Sequence, residues 1–227
     1  MSEADHIVRT PTPATVDSLL ADLRRLGDLT GETVLVHSSL SALGWVAGAE
    51  QAVVEALRRW VGPEGTLVVP AHSGTFTDPA RWGNPPVPRD WWQVLYDHMP
   101  AFDPATSPTR GMGAIAECVR HLPGARRSSH PHVSFAAVGP NAEAITRSHP
   151  LADGLGDQSP LAVLYDLDAW VLLLGVGHAN NTSLHLAEYR CGGLGVERVE
   201  QGSPVLVDGE RRWVTYSELD GSTDDFE

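Results

Sequence analysis

The chain has 227 residues, 42% of them hydrophobic and 20% charged, which is typical of a folded domain and excludes a disordered chain. The formal net charge of -13 disfavours nucleic acid as a partner and favours cationic ligands, although acidity for solubility explains it equally simply. The polar, acidic N-terminus does not resemble a signal peptide, and the longest apolar run is too short to span a bilayer. We therefore expect a cytoplasmic protein that binds no membrane.

The first seventy residues alternate between helical and strand-like patterns. Apolar residues recur at helical spacing from Thr15 to Leu26, with Thr15 as a possible N-cap and Gly27 as a terminator. TVLVH at 33–37 and TLVVP at 66–70 are short apolar runs typical of buried strands, and a second helix is predicted between them, from Gly48 to Trp60. This β-α-β order predicts a parallel or mixed sheet covered by helices.

Residues 71–110 differ in composition from the rest of the chain. They contain seven prolines and three tryptophans, Trp82, Trp91 and Trp92. Long segments of this kind are usually functional loops, since linkers rarely carry so many large aromatic residues. We expect a lid-like segment or small subdomain here.

The second half of the chain continues the alternation. Predicted helices lie at 113–121, 142–148 and 181–190, and predicted strands at 134–139 and 170–177, with a hairpin turning at Asp208-Gly209 within 203–216. The predicted fold class is α/β: a mixed, mostly parallel sheet flanked by helices, with the smaller Pro/Trp-rich lid, in a single domain over residues 1–227.

The segment after the predicted strand 170–177 carries the clearest catalytic pattern. His185 and Glu188 are three residues apart and share one face of a helix. A carboxylate can orient an imidazole and raise its basicity, as a general base requires. The alternative is an ordinary pair on a helix surface. Placement just after a strand favours function, because ligands bind at the carboxyl edge of open α/β sheets.

Two loops could hold a phosphate. HSSLSALG at 37–44 places hydroxyl residues directly after a strand, and SPTRGMG at 107–113 combines a tight loop with Arg110. Neither matches a nucleotide-binding fingerprint, and each also suits an ordinary connection.

The ten histidines do not indicate a metal site. His130 and His132 have the spacing of strand neighbours, but there is no HExxH motif, and Cys118 and Cys191 lack ligand spacing. A hydrolase with a metal held by His130, His132 and His185 is the alternative that this leaves open.

Several segments occur together in a known order: HSSLSALG, SGTFTDPARWGNPPVP, MPAFDPATSPTRGMG, RSSHPHVSFAAVG, HPLADGLGDQSPLAVLYDLDAWVLLLGVG and NNTSLHLAEYR. From about residue 15 to the end, the chain resembles the aminoglycoside 3-N-acetyltransferases. The resemblance implies that family's own α/β fold, distinct from the common acetyltransferase fold. It also implies direct transfer from acetyl-CoA, without a metal, to the 3-amino group of a 2-deoxystreptamine aminoglycoside.

The resemblance also assigns roles to individual residues. His185 would be the catalytic base, oriented by Glu188, with Thr182 close to the thioester. The acetyl-CoA site would include His37, Ser38, Ser39, Leu40, Ser41, Ser107, Thr109, Arg110, Gly111, Met112 and Gly113. The polycationic acceptor would meet Asp78, Asp103, Asp153, His130 and Asn181.

Two features depart from the family pattern. His178 and Ala179 stand where many relatives have an aromatic residue followed by Asp, which implies one lost contact to a substrate ammonium group. The chain also stops at STDDFE, where relatives usually continue for a few dozen residues. The alternatives are therefore an acetyltransferase for another amine and a CoA-binding homologue without aminoglycoside activity. The resemblance is compatible with a monomer or a homodimer.

Overall fold

The computed structural model describes residues 3–192 and 195–220, so the STDDFE segment lies outside the described part of the chain. The five predicted helices are all present within those ranges, although the one predicted at 181–190 begins three residues later than expected. The helices at 3–9, 92–98 and 160–166 were not predicted. The helices are α1 (Glu3–Arg9), α2 (Val16–Leu26), α3 (Ala49–Val61), α4 (Trp92–His98), α5 (Gly113–Arg120), α6 (Ala142–Thr146), α7 (Pro160–Asp166) and α8 (Leu184–Arg190).

The strands form a five-stranded sheet and a separate hairpin. They are β1 (Thr33–Ser38), β2 (Thr66–Pro70), β3 (Arg126–Arg127), β4 (Phe135–Val138), β5 (Trp170–Leu174), β6 (Arg198–Val207) and β7 (Glu210–Leu219). The sheet order is β3-β4-β2-β1-β5. β1 pairs in parallel with β2 and β5, whereas β4 is antiparallel to both of its neighbours. The predicted mixed α/β sheet is confirmed, but not its mostly parallel character, since two pairings are parallel and two antiparallel.

Helices cover both faces of the sheet. Val34 and Val36 of β1 point to one face, where they pack against α2, α3 and α5. Leu35 lies between them and points to the other face, against α6, α7 and α8. The inner strands bury both faces and therefore read as continuous apolar runs.

β5 corrects the prediction of a buried strand over 170–177. It ends at Leu174, because Gly175 has a φ of +73° and turns the chain out of the sheet. It is also an edge strand, paired only with β1, so Trp170 remains 55% exposed. An apolar run reports β-structure but does not distinguish a central strand from an edge strand.

The Pro/Trp-rich segment 71–110 packs on the C-terminal hairpin. Its Phe76, Met99 and Phe102 form a small buried cluster against which Trp213 of β7 packs. The Arg211 side chain also donates to the Met99 carbonyl at 2.6 Å. The hairpin turns at Asp208-Gly209 as predicted, with φ of 51° and 79°. Movement of the segment as a lid stays a prediction.

Candidate functional site

Three parallel strands end at one edge of the sheet and supply the polar residues of the site. β1 ends in His37 and Ser38, β2 is followed by His72, and β5 is followed by Gly175. The Ser39 N–H donates to the Leu174 carbonyl at 3.0 Å, which holds the chain after β1 against the end of β5. This edge is where open α/β sheets bind ligands.

One cavity at this edge, the serine cavity, has a volume of about 520 Å³. Both predicted phosphate loops reach it, although they are about seventy residues apart in sequence. It is lined by Ser38, Ser39, Leu40, Ser41, Gly111, Met112, Gly113, Ala114, Ile115, Gly175, Val176 and Asn180. The fold therefore joins the two segments that the sequence singled out separately, and it adds residues after β5 that the sequence analysis missed.

Gly175 permits the close approach that shapes the serine cavity. A Cβ at this position would lie 2.7 Å from the Ala42 Cβ and 3.3 Å from the Ser39 carbonyl oxygen. Its positive φ also favours glycine. Apolar strand patterns often end at glycines, so the GVG sequence indicated that β5 ends nearby. No sequence pattern indicated the contact with Ala42.

Four residues predicted to bind acetyl-CoA do not line this cavity. The Ser107 hydroxyl accepts the Asp103 N–H at 3.0 Å, and the Thr109 hydroxyl donates to Glu117. The Arg110 guanidinium donates to the Asn84 carbonyl at 3.4 Å. His37 is buried, with its Nε2 buried and without a hydrogen-bond partner among the described residues. Ligand contacts by these four residues stay predictions.

A second, smaller cavity, the histidine cavity, has a volume of about 180 Å³. His185 on α8 is buried here, and its Nδ1 lies 2.6 Å from Oε2 of Glu188. A carboxylate at this distance accepts a hydrogen bond from Nδ1–H, which makes Nε2 the basic nitrogen of the ring. The cavity is lined by His72, His132, Val133, Leu155, His185, Glu188, Tyr189, Glu218 and Leu219.

Glu218 is a second carboxylate in the histidine cavity, and the sequence analysis missed it. Its Oε1 lies 3.3 Å from Nδ1 of His132. Burial acts to raise the pKa of Glu218, but the hydrogen bond and charge of His132 outweigh it and hold that pKa below its usual value. The sequence signal was weak, because the alternation of β7 does not show which residue faces a cavity.

Asn181 and Thr182 lie in the turn before α8 and are buried. The Asn181 Oδ1 accepts from the Ser183 hydroxyl at 2.6 Å and from the Ser183 N–H at 3.2 Å, which places the helix start at Leu184. Neither residue lines either cavity, although the neighbouring Asn180 lines the serine cavity. Their predicted roles remain untested by this geometry.

His130 is held by internal hydrogen bonds, and its contact with a substrate stays a prediction that this geometry does not favour. His130 has no exposed surface. Its Nδ1 accepts the N–H groups of His132 and Val133, both at 3.1 Å, and its Nε2 lies 3.0 Å from the Leu151 carbonyl oxygen. Burial lowers its pKa to about 3, so the ring is neutral, and it holds the backbone at His132 and Val133 in place. From the sequence alone, a histidine next to a buried strand is compatible both with substrate binding and with a structural role.

The three predicted aspartates all bond within the protein and do not line either cavity. Asp78 accepts from the Tyr96 hydroxyl at 2.7 Å and caps the turn at Ala80. Asp103 accepts the Ala105 N–H at 2.8 Å. Asp153 pairs with Arg198. Acceptor binding by these residues stays a prediction that the geometry does not favour.

Within the described ranges, no group of three or more His, Cys, Asp or Glu side chains is arranged to hold a metal ion. None of the helices in the described residues is long and apolar enough to cross a bilayer.

The fold and the site define an α/β protein with a histidine–carboxylate centre at the carboxyl edge of its sheet. The family model for aminoglycoside 3-N-acetyltransferase matches residues 35–227. The chain therefore belongs to the aminoglycoside 3-N-acetyltransferase family, a family of transferases, as the sequence predicted.

Similarity to individual proteins extends along nearly the whole chain. The SPbeta prophage-derived aminoglycoside N(3')-acetyltransferase-like protein YokD of Bacillus subtilis (strain 168) is 47% identical over 93% of this chain and 77% of its own length. Aminoglycoside N(3)-acetyltransferase VIII of Streptomyces fradiae is 40% identical over 98% of this chain and 77% of its own. The solved binary complex of AAC-IIIb with CoASH covers 92% of this chain and 77% of that one, at 33% identity and a TM-score of 0.80.

Proposed function

We propose that this protein transfers the acetyl group of acetyl-CoA to the 3-amino group of a 2-deoxystreptamine aminoglycoside, by direct transfer in a ternary complex. The observation that carries the proposal is the 2.6 Å contact between His185 and Glu188 in the histidine cavity. The binary complex of AAC-IIIb with CoASH supports acetyl-CoA as the donor.

The serine cavity is the proposed donor site. Its volume of about 520 Å³ and its lining of serine hydroxyls and glycines suit the polar, extended CoA chain. Both of its loops offer backbone N–H groups, which bind phosphate well when they converge.

The histidine cavity is the proposed place of proton transfer. An aminoglycoside amine is mostly protonated near neutral pH, and an ammonium group is not a nucleophile. The ammonium group first loses one proton to solvent, and His185 Nε2 then takes a second proton from the nitrogen as it attacks the thioester carbon. The C–N bond forms, the C–S bond breaks, and the proton returns to the departing CoA thiolate. Glu188 holds the ring and stabilises the imidazolium between these steps.

Carboxylates suit the acceptor's charge. Glu188 and Glu218 both face the histidine cavity, and the lowered pKa of Glu218 keeps it ionised at neutral pH. The net charge of -13 attracts polycations over a longer range. We further propose that the protein is a cytoplasmic monomer or homodimer that binds no nucleic acid.

The test is release of free CoA thiol from acetyl-CoA in the presence of a panel of aminoglycosides and simple polyamines. The expected result is saturable turnover with a 2-deoxystreptamine drug, and a product acetylated at N3 by NMR. Turnover only with another amine would show that the acceptor is not an aminoglycoside. That result would be consistent with Ala179, which stands where many relatives have Asp. Tight CoA binding without any turnover would show that the protein is a CoA-binding homologue without acetyltransferase activity.

A further inference from the structure

His72 is a half-buried imidazole for which the proposed mechanism has no role. It lies two residues after the end of β2, and its ring packs edge-on against Phe135 with 5.6 Å between ring centroids. Its Nε2 is buried and has no hydrogen-bond partner among the described residues. Folded proteins rarely leave such an atom unpaired, so an unpaired nitrogen on a ring that lines a cavity calls for a partner there.

The position of His72 joins the two cavities. Its ring lines the histidine cavity together with His185. Its backbone carbonyl accepts the Arg110 N–H at 2.8 Å, and the next residue, Gly111, lines the serine cavity. The thioester carbon must lie where donor and acceptor meet, so His72 stands beside the reacting atoms.

The ring is uncharged under working conditions. Burial holds the pKa of His72 well below its ordinary value, and the neighbouring histidines lower it further. The titratable groups whose charges act on His72 are His132, His37, His149 and His130, and His185, Glu188, Tyr189 and Glu218 line the same cavity. A neutral imidazole donates one hydrogen bond without repelling a polycationic acceptor.

On the basis of the proposed acetyl transfer, we propose that His72 Nε2–H donates a hydrogen bond to the thioester carbonyl oxygen. When the amine nitrogen bonds to the carbonyl carbon, the C=O π pair moves to this oxygen, and the hydrogen bond stabilises the resulting oxyanion. The C=O bond then re-forms as the C–S bond breaks. His72 keeps its proton throughout, whereas His185 exchanges one.

Substitution of the donor tests this role. His72→Phe removes the N–H but keeps a ring of similar size, and His72→Gln keeps an N–H donor. We expect His72→Phe to lower kcat roughly 100-fold or more, as loss of one oxyanion donor does, with little change in the KM for acetyl-CoA. His72→Gln should recover part of that loss. His98→Phe, at an exposed position on α4, is the matched control and should keep wild-type kcat. Unchanged kcat in His72→Phe would overturn the proposal, as would equal losses in the Phe and Gln variants.

A second measurement does not depend on turnover. Acetonyl-CoA carries a ketone in place of the thioester and cannot transfer its acetyl group. In protein labelled with ¹⁵N-histidine, its binding should shift the Nε2 resonance that the His72→Gln spectrum lacks. Binding without that shift would overturn the role of His72 and leave the donor site intact. Failure of acetonyl-CoA to bind at all would instead contradict the proposed function.

Discussion

His185 and Glu188 stand three residues apart on α8, and only 2.6 Å separates the imidazole Nδ1 from the carboxylate Oε2. His185 is buried and Glu188 is partly buried beside it, and the turn at Asn181 fixes the start of the helix. The contact makes Nε2 the basic nitrogen of the ring, which is what the proposed general base requires.

Glu188→Gln should slow acetyl transfer and change its dependence on pH. The amide still fills the space but carries no charge to stabilise the imidazolium, so kcat should fall and its pH profile should change. Steady-state rates measured over a range of roughly pH 5.5 to 8.5 show both effects. The exposed Glu64→Gln serves as the control. An unchanged profile would make Glu188 a structural partner only.

The buried histidines should make the protein sensitive to acid. Burial lowers the pKa from 6.5 to about 3 for His130 and to about 4 for both His149 and His37. The unfolded chain therefore binds protons below about pH 6.5 that the folded chain does not, and stability falls from there down to about pH 4.

Each such histidine removes about 1.4 kcal/mol per pH unit within that window. The window ends at about pH 6.5. Urea unfolding at about pH 7.5, above this window, and at about pH 5, inside it, measures the difference in the free energy of unfolding. The variant His149→Asn loses one titrating ring, so its stability should fall less steeply with acid. Equal stability of the wild type at the two pH values would contradict the assignment of neutral buried rings.

Gly175 should be intolerant of a side chain, unlike its neighbour Gly177. Gly175→Ala places a methyl group 2.7 Å from the Ala42 Cβ at a φ of +73°, whereas a Cβ at Gly177 meets no atom within 4 Å. The strained backbone costs roughly 1–2 kcal/mol, and displacement of the Ser39 loop should raise the KM for acetyl-CoA. Unfolding and donor kinetics of the two variants check this. Identical behaviour would show that the serine cavity does not depend on the close approach.

Arg127 should stabilise the region behind the site. Its guanidinium donates to the Ala71 carbonyl at 2.6 Å and to the hydroxyls of Ser73 and Ser134 at 2.7 and 3.0 Å. Hydrogen bonds from a charged donor contribute about 1.5–3 kcal/mol each, so Arg127→Met should lower the free energy of unfolding by more than about 3 kcal/mol.

The adjacent Arg126 supplies a matched control for that variant. Arg126 forms an exposed ion pair with Glu143 at 2.7 Å, and such pairs contribute about 0–1 kcal/mol. Denaturant titration of Arg126→Met and Arg127→Met should therefore separate them clearly. Similar losses in both variants would mean that the buried network of Arg127 contributes little.

The sequence predicted those elements whose signals are local. The N-cap at Thr15 and the Asp208-Gly209 turn are confirmed, because each depends on residues only a few positions apart. The start of α7 had a similar signal that was missed: Ser159 caps the helix, and Pro160 occupies its first turn.

Long-range features could not be predicted in the same way. Antiparallel placement of β4 depends on how the chain crosses the sheet, not on the pattern of its own four residues. His72, His132 and Glu218 come from three distant segments, and only the fold brings them to one cavity. The helical spacing of His185 and Glu188, by contrast, is local, and the sequence identified this pair.

The most direct test of the proposed function is the rate of thiol release by His185→Ala with acetyl-CoA and a 2-deoxystreptamine aminoglycoside. The proposal predicts a loss in kcat of roughly 10²–10⁴-fold, the usual contribution of a general base, while acetyl-CoA binding and the unfolding midpoint stay close to wild type. His98→Ala, at an exposed position, should keep full activity. A His185→Ala enzyme that turns over at the wild-type rate would contradict the assignment of His185 as the base.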